Sequence, residues 1–357
     1  MERPRSLVFL LPGSGHLPVG GFKVVYEYAQ HLSLRGHRAC VVHAAWSGGA
    51  ASRPRKLKAL LGYVRRRITG YRPESWFAFR APVELRWLPF LHPRLVPAAD
   101  VLIATAWQTA EWLGRAKQRP GCEGLYLIQH EETWSGEASR VLATWHLPLR
   151  KIVTARWLEE RLLAAGESAS HIPIGLDFSA FGMDVPPAQR PRAHVVSLHH
   201  EAPWKGSRLA LEALRIARDR IPAMDATFFG TGPRPDGLPS WCRYARNPAQ
   251  AELRTLYNRA TVVLSASLSE GWGLVGSEAM MCGGAFVGTD VGGHREFARH
   301  EETALLCPPG DAAALSECVV RLVREPALRQ RIVEGAHRSI QRFTWDRATD
   351  AFERALG

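Results

Sequence analysis

Short apolar runs and amphipathic stretches alternate along the whole chain. Leu7-Val-Phe-Leu-Leu11 reads as a buried strand, and Phe22 to Leu34 carries apolar residues at helical spacing until Gly36-His37 stops it. Ala39-Cys-Val-Val-His43, Val101 to Thr105, Gly124 to Ile128 and Ile152 to Thr154 read as further strands, with a helix from Arg156 to Ala165. Met183 to Arg192 is a Pro-rich linker, after which the pattern restarts. Ala193 to Leu198 is a strand, Arg208 to Asp219 a helix, Ala226 to Phe229 and Ala260 to Ser267 strands, Val275 to Cys282 a helix, and two terminal helices follow. Such alternation implies parallel sheets joined by crossover helices. The expected fold is α/β, with two doubly wound Rossmann-like domains at 1–180 and 193–340. Two sheets of that kind, facing each other, would put their strand C-termini on one ligand-binding cleft.

Composition is consistent with this picture. A chain of 357 residues with 46% hydrophobic content is too long for one ordinary core and ample for two. Its apolar runs are far too short to span a bilayer. Met-Glu-Arg-Pro-Arg at the start enters a strand without the architecture of a leader. Six cysteines are scattered without paired spacing or a matching histidine set, which points to reduced thiols in a cytoplasmic protein and to no metal site.

Net charge is +12, and only six of the 46 basic residues are lysines. Eight basic residues and no acid fall between Ser52 and Arg72, among them Arg53, Arg55, Lys56, Arg65, Arg66 and Arg67. Leu57, Leu60, Leu61, Val64 and Ile68 interleave with them at helical spacing. Two readings stand: a basic amphipathic helix that contacts an anionic membrane or acceptor, or an arginine-rich face on a core-packed helix. The first would make the protein peripheral at the inner face of the membrane. Charge alone also fits a nucleic-acid binder, but the basic run occupies one segment and no nucleic-acid module appears.

The most informative stretch is Ser269-Glu-Gly-Trp-Gly-Leu-Val-Gly-Ser-Glu278. It follows a β-branched strand and opens a helix, so free N–H groups and the positive helix end gather at the turn and favour a phosphate. Glu270 and Glu278 beside it would repel a bare phosphate yet suit a ligand that also carries hydroxyls. Phosphate plus polyol suggests a nucleotide sugar. The bland alternative makes Glu278 a capping or surface residue and Glu270 an ordinary turn acid.

This stretch resembles the signature of the retaining glycosyltransferases of family four, the group 1 transferases with the GT-B fold. The same order of Glu, seven residues, Glu, helix, strand and Gly-Gly turn continues through Ala279 to Val287, Asp290-Val-Gly-Gly293 and Leu305 to Asp311. The resemblance runs end to end and is weakest between Gly48 and Pro97. It implies that Gly20 and Gly21 open the first helix beside the donor phosphates, and that Gly230 and Gly232 form the turn below the donor. Glu270, Gly271, Trp272, Gly273, Leu274 and Glu278 would hold the donor, with Glu278 on the ribose and Glu270 on the sugar. Lys205 would neutralise the diphosphate. Where the family usually has Arg, this chain has His200, which carries less charge and no bidentate fork. His130 ends a strand and is expected to project near the cleft, with Glu132 beside it tuning it or binding acceptor hydroxyls. The last helix, within 341–357, would cross back onto the first domain.

The resemblance further implies transfer with retention of configuration. The attack would come from the front side, and Lys205 and backbone N–H groups would stabilise the leaving diphosphate. No Asp-x-Asp occurs, so no metal or other cofactor is expected. The catalytic residues would be His130, Lys205 and Glu270, and the acceptor a glycan, a lipid-linked glycan or a small molecule. A nucleotide-sugar epimerase or a phosphorylase can share this fold and stays open, since fold does not fix function.

Overall fold

The structure is a computed structural model that describes residues 3–46, 53–116 and 120–357, with residues 53–56 by backbone alone. The chain divides into two compact units, one formed by residues up to Gly175 with Trp345–Gly357, the other by Leu176–Thr344.

The first unit contains a parallel sheet of β1 (Ser6–Pro12), β2 (Arg38–Trp46), β3 (Glu84–Phe90), β4 (Val101–Ala104), β5 (Glu123–Ile128), β6 (Arg150–Val153) and β7 (Ser170–His171). The strands run in the order β3-β2-β1-β4-β5-β6-β7. Its helices are α1 (Gly20–Leu34), α2 (Arg53–Ile68), α3 (Trp107–Arg115), α4 (Ala138–Ala143) and α5 (Arg156–Ala164). Strand β1 is apolar and buried from Leu7 to Leu11 because it is covered on both faces, as the centre of a parallel sheet requires. The sequence pattern missed β3, whose Glu84-Leu-Arg-Trp-Leu-Pro-Phe90 mixes charges with a proline. That composition is tolerated at a sheet edge, which is where β3 lies.

The second unit repeats the plan with β8 (His194–Leu198), β9 (Asp225–Gly230), β10 (Cys242–Arg246), β11 (Val262–Ser265), β12 (Ala285–Thr289) and β13 (Leu305–Cys307), in the order β10-β9-β8-β11-β12-β13. Helices α6 (Ser207–Arg220), α7 (Gln250–Arg259), α8 (Leu274–Met281), α9 (Ala312–Arg324) and α10 (Pro326–Ile340) accompany it. Both sheets reverse direction beside their first strand, at β1/β4 and β8/β11, where open α/β sheets bind ligands.

The last helix, α11 (Trp345–Leu356), belongs to the first unit. Phe352 packs 4.7 Å from Tyr28 and 6.2 Å from Phe9, while Arg35 bonds Asp350 and Glu353. Three helices therefore end the chain, not two. Pro326 lacks an N–H and sits in the first turn of α10, so the apolar pattern that looks continuous is broken there.

Two further expectations change. The stretch 183–192 is not a free linker but packs on the second unit. Arg190 is buried and donates to the carbonyls of Val185 at 2.8 Å, Ala260 at 3.1 Å and Cys282 at 2.5 Å. Helix α2 packs on the sheet through Tyr63, whose ring lies 4.5 Å from Trp87, and not through its leucines. Leu57, Leu60, Leu61, Val64 and Ile68 are between 44% and 81% exposed, and Lys58, Arg65, Arg66 and Arg67 are exposed beside them. The side chains of Arg53, Arg55 and Lys56 lie outside the described residues. No helix among the described residues is long and apolar enough to cross a membrane.

Arg190→Met should destabilise the protein by about 2–4 kcal/mol, because several buried carbonyls lose their donor at once. Urea unfolding of the second unit reads this directly; a loss under about 0.5 kcal/mol would show that water replaces the guanidinium.

Candidate active site

In the second sheet, the loops of the site leave the C-terminal ends of β8, β9 and β11, at or next to the switch point. After β8, His199 to Ala202 lead into a single turn, Pro203–Lys205, which ends at Gly206 with φ +64°. A Cβ at Gly206 would lie 1.9 Å from the carbonyl oxygen of Ala266, so only glycine lets this loop pass against the end of β11. The Leu268 N–H donates to Trp204 O at 2.7 Å and fastens the two loops together.

That approach brings Lys205 to Glu270. The ammonium donates to both carboxylate oxygens at 2.8 Å, and Ser267 Oγ donates to Oε1 at 2.8 Å. Burial raises the Glu270 carboxyl, but Lys205, His294 and the hydrogen bonds from Lys205 and Ser267 outweigh it and hold the group below the ordinary carboxylate value. Glu270 is therefore a fixed anion, and Lys205 its counter-cation.

Gly273 caps α8 with φ +101°, and a Cβ there would meet the His294 ring at 2.6 Å. Gly271 and Trp272 line the same turn, and Leu274 begins the helix. The Trp272 ring does not face a ligand: it is buried, lies 5.1 Å from Phe343 edge-on, and sends its indole N–H toward Ser277 Oγ at 3.3 Å. What remains of Trp272 at the turn is backbone. Glu278 lies one turn further along α8, mostly buried, with the Tyr257 hydroxyl donating to it at 3.4 Å.

Gly230 and Gly232 form the turn after β9. A Cβ on Gly230 would fall 2.3 Å from His199 O, and the Tyr244 hydroxyl donates to Gly232 O at 2.9 Å. His200 accepts the Ala202 N–H at Nδ1, 3.0 Å, which leaves the proton of the neutral ring on Nε2. Burial, then the Lys205 charge, push its value down. At neutral pH it offers a neutral donor where an arginine would offer charge.

The remaining candidates lie in the first unit. Gly20 and Gly21 open α1, and Gln129 donates to Gly21 O at 3.1 Å. His130 follows β5, with Nδ1 accepting the Glu131 N–H at 2.8 Å and its ring edge-on to Trp134 at 4.2 Å. Glu132 adopts φ +60° and turns its carboxylate onto the first N–H of α3, Trp107, at 2.9 Å. Burial raises its pKa to about 7, against the pull of that N–H. It is thus a helix cap, not a partner aimed at His130. Arg65, Arg66 and Arg67 sit on α2, remote in sequence from these loops.

Sequence reasoning missed Ser267, Tyr257 and His294. His294 directly follows the Gly292-Gly293 pair, a place where only its position after the turn could have drawn notice.

Two parallel doubly wound sheets, each with its switch point beside the first strand, are the elements of the GT-B fold. Residues 185–339, most of the second unit, match the model of the glycosyl transferases group 1 family. Anabaena HepE, solved with UDP-glucose, superposes with a TM-score of 0.75 at 18% identity over 99% of both chains. Sucrose-phosphate synthase from Thermosynechococcus elongatus does so with a TM-score of 0.73, also at 18% identity, over 99% of this chain and 98% of its own. Among curated relatives, the phosphatidyl-myo-inositol mannosyltransferase of Mycobacterium leprae is 27% identical over 57% of this chain. The D-inositol 3-phosphate glycosyltransferase of Saccharomonospora viridis is 33% identical over 32% of it. The chain matches 58% and 27% of the length of these two relatives.

Lys205→Met should leave Glu270 buried without its cation. A loss of about 2–4 kcal/mol at pH 7 is expected. In the native protein the Glu270 value is depressed, so its stabilisation is present above the unfolded value and lost as pH falls through the folded one. In the variant, burial is opposed only by His294 and the Ser267 hydrogen bond, and the carboxyl protonates more readily. The gap between the two proteins should therefore narrow from pH 7 to pH 4.5, as thermal unfolding at both pH values would show.

Proposed function

We propose that this protein is a retaining, metal-independent glycosyltransferase that moves a sugar from a nucleotide-diphosphate sugar to an acceptor hydroxyl. The observation that carries this reading is the Lys205–Glu270 pair at the switch point, with Glu278 one turn along the adjoining helix. The names of the relatives, a mannosyltransferase and an inositol phosphate glycosyltransferase, support it, as does the UDP-glucose held by HepE.

On this reading the Lys205 ammonium exchanges Glu270 for the diphosphate and gains strength as charge accumulates on the leaving group. Glu270, released, takes hydroxyls of the transferred sugar and orients the ring. Glu278 accepts from the ribose hydroxyls. The N–H groups of the Gly271–Gly273 turn and the Gly230–Gly232 turn approach the phosphates without side-chain obstruction. His200 adds a neutral Nε2 donor. Gly20, Gly21 and His130 serve from the first unit, and His130, whose Nδ1 is already an acceptor, presents its proton on Nε2. Front-side attack, with a donor phosphate oxygen taking the acceptor proton, would retain configuration without a protein nucleophile.

Helix α2 favours an acceptor at an anionic membrane. It presents five exposed apolar side chains together with Lys58, Arg65, Arg66 and Arg67, a combination that suits the headgroup region of acidic lipids. The lipid surface is the occupant that matches both its charge and its apolar side chains. Cytoplasmic residence, with peripheral contact at the inner face, follows from the same reading.

Glu278→Ala should lower affinity for the nucleotide diphosphate roughly ten- to hundredfold, as loss of about 1.5–3 kcal/mol of hydrogen bonding to ribose implies. Calorimetric titration with UDP and GDP measures it, and unchanged affinity in a folded variant would remove Glu278 from the donor site.

Joint replacement of Arg65, Arg66 and Arg67 by Ser should release the protein from phosphatidylglycerol-containing vesicles while leaving nucleotide binding intact. Each basic residue near such a surface contributes about 1 kcal/mol, so flotation should be lost at low salt first. Native protein that fails to float at low salt would favour a soluble acceptor.

A further inference from the structure

Behind Glu270 lies a row of polar side chains that donor binding does not account for. His294 is fully buried, its ring bounded by Phe286 and Phe297, with centroids at 5.2 and 6.0 Å. Gly273 and Gly288 leave room for it, since a Cβ on either would meet the ring at 2.6 or 3.2 Å. A buried imidazole for which two glycines make space is not ordinary core filling.

Its contacts fix its proton. Nδ1 lies 2.7 Å from Thr289 O, an atom that only accepts, so Nδ1 carries hydrogen. Nε2 lies 3.5 Å from Ser265 Oγ, which lies 3.3 Å from Ser267 Oγ, which donates to Glu270 Oε1 at 2.8 Å. The row thus has three links, each needing one proton. The two serines supply two. The third can come only from Nε2, which holds a proton only in the imidazolium. A neutral His294 leaves one link unfilled, in keeping with the long separations at that end.

The surrounding charges set which state prevails. Burial disfavours the imidazolium most; the Glu270 carboxylate and Thr289 carbonyl favour it, Lys205 opposes it, and Asp290, itself held by Arg295, favours it. The balance lies on the neutral side, below the ordinary histidine value. Lys205 is the member of this set that a diphosphate would engage. Once the ammonium turns to phosphate, Glu270 loses its counter-cation and negative charge is added nearby. Both changes favour the imidazolium, so the sign does not depend on which is larger.

We propose that His294 is a positioning residue for Glu270, acting through Ser265 and Ser267, and that it takes up a proton when a nucleoside diphosphate draws Lys205 from Glu270. The proton comes from solvent and settles on Nε2. It completes the row of hydrogen bonds and keeps the Glu270 carboxylate in place after its ion pair is lost. The ligand-linked half rests on the donor reading given above; the link between Lys205 and His294 does not.

Two measurements decide it. In the free protein, histidine ring resonances followed against pH should show roughly a tenfold higher proton affinity for His294 in Lys205→Ala than in the native chain. His294→Asn identifies the resonance, and an unaltered titration in Lys205→Ala would overturn the proposal. In the second, calorimetry with UDP or GDP at pH 7, in phosphate and in Tris, should reveal uptake of about 0.3–1 proton per site. That uptake should vanish in His294→Asn. Should the Asn variant fold poorly, Ser267→Ala, which cuts the row, is expected to remove about half of it. Binding without proton uptake, or uptake that persists in both variants, contradicts the proposal. If neither nucleotide binds, the donor reading and the ligand-linked half fall together, while the first measurement still decides whether Lys205 controls His294.

Discussion

The close passage of Gly206 against the end of β11 is the constraint on which the site depends. Lys205 and Glu270 come from loops after different strands, and they meet because no Cβ separates their backbones. The other glycines serve the same end. Gly293 lies where a Cβ would come 2.6 Å from Glu270 O and 2.8 Å from Trp272 O, so it seats the carboxylate-bearing turn from the opposite side. An ion pair this well buried stabilises little by itself, because desolvation opposes it. Its value lies in holding two charges ready at a fixed place. A glutamate held as an anion and a lysine held as its partner are a poor choice for stability and a good one for exchange with an anionic ligand.

How far the residues reveal this depends on what kind of signal each part leaves. Central strands such as β1 and β4 are buried, and the unbroken apolar runs Leu7–Leu11 and Val101–Ala104 announce them. Edge strands do not. β3 and β10 carry charges along Glu84 to Phe90 and Cys242 to Arg246, because one side of each meets no further strand. Helix α3 begins at Trp107, and its start is marked locally only by Thr109, whose hydroxyl accepts the Ala106 N–H, while the Trp107 N–H is capped by Glu132, 25 residues later. The glutamate spacing, the lone lysine of the second half and the paired glycines were all legible, because close backbone approach and charge require those residue types. The orientation of the Trp272 ring was not legible, since Phe343 and Phe297, which draw it inward, come from distant parts of the sequence. The Ser265–Ser267–His294 row left no pattern at all, since it joins residues of two strand ends that meet only in the folded sheet.

The distribution of charge adds a second contrast. The chain is strongly basic, but its arginines are largely engaged as structural cations. Arg140 pairs with Glu111, Arg254 with Asp184, and Arg190 binds carbonyls. Around Glu270 the polar groups are instead imidazoles and hydroxyls, with His200 and His294 both held toward neutrality by burial. A site built this way has little fixed positive charge to spare and responds to added anions by changing protonation, where an arginine-lined one could not.

Helix α11 has a bearing on how the chain is made. Phe352 is fully buried and covers Phe9 and Tyr28, which are synthesised long before it. All of Leu176–Thr344 must be translated before that cover exists. At 5–20 residues per second the wait is roughly ten to thirty seconds, during which the older unit shows an apolar strip to its surroundings while the younger one can already close its own core. Of the two units, the one whose strands are made earlier is therefore the one finished later, and its unclosed core is what a chaperone would meet in the interval.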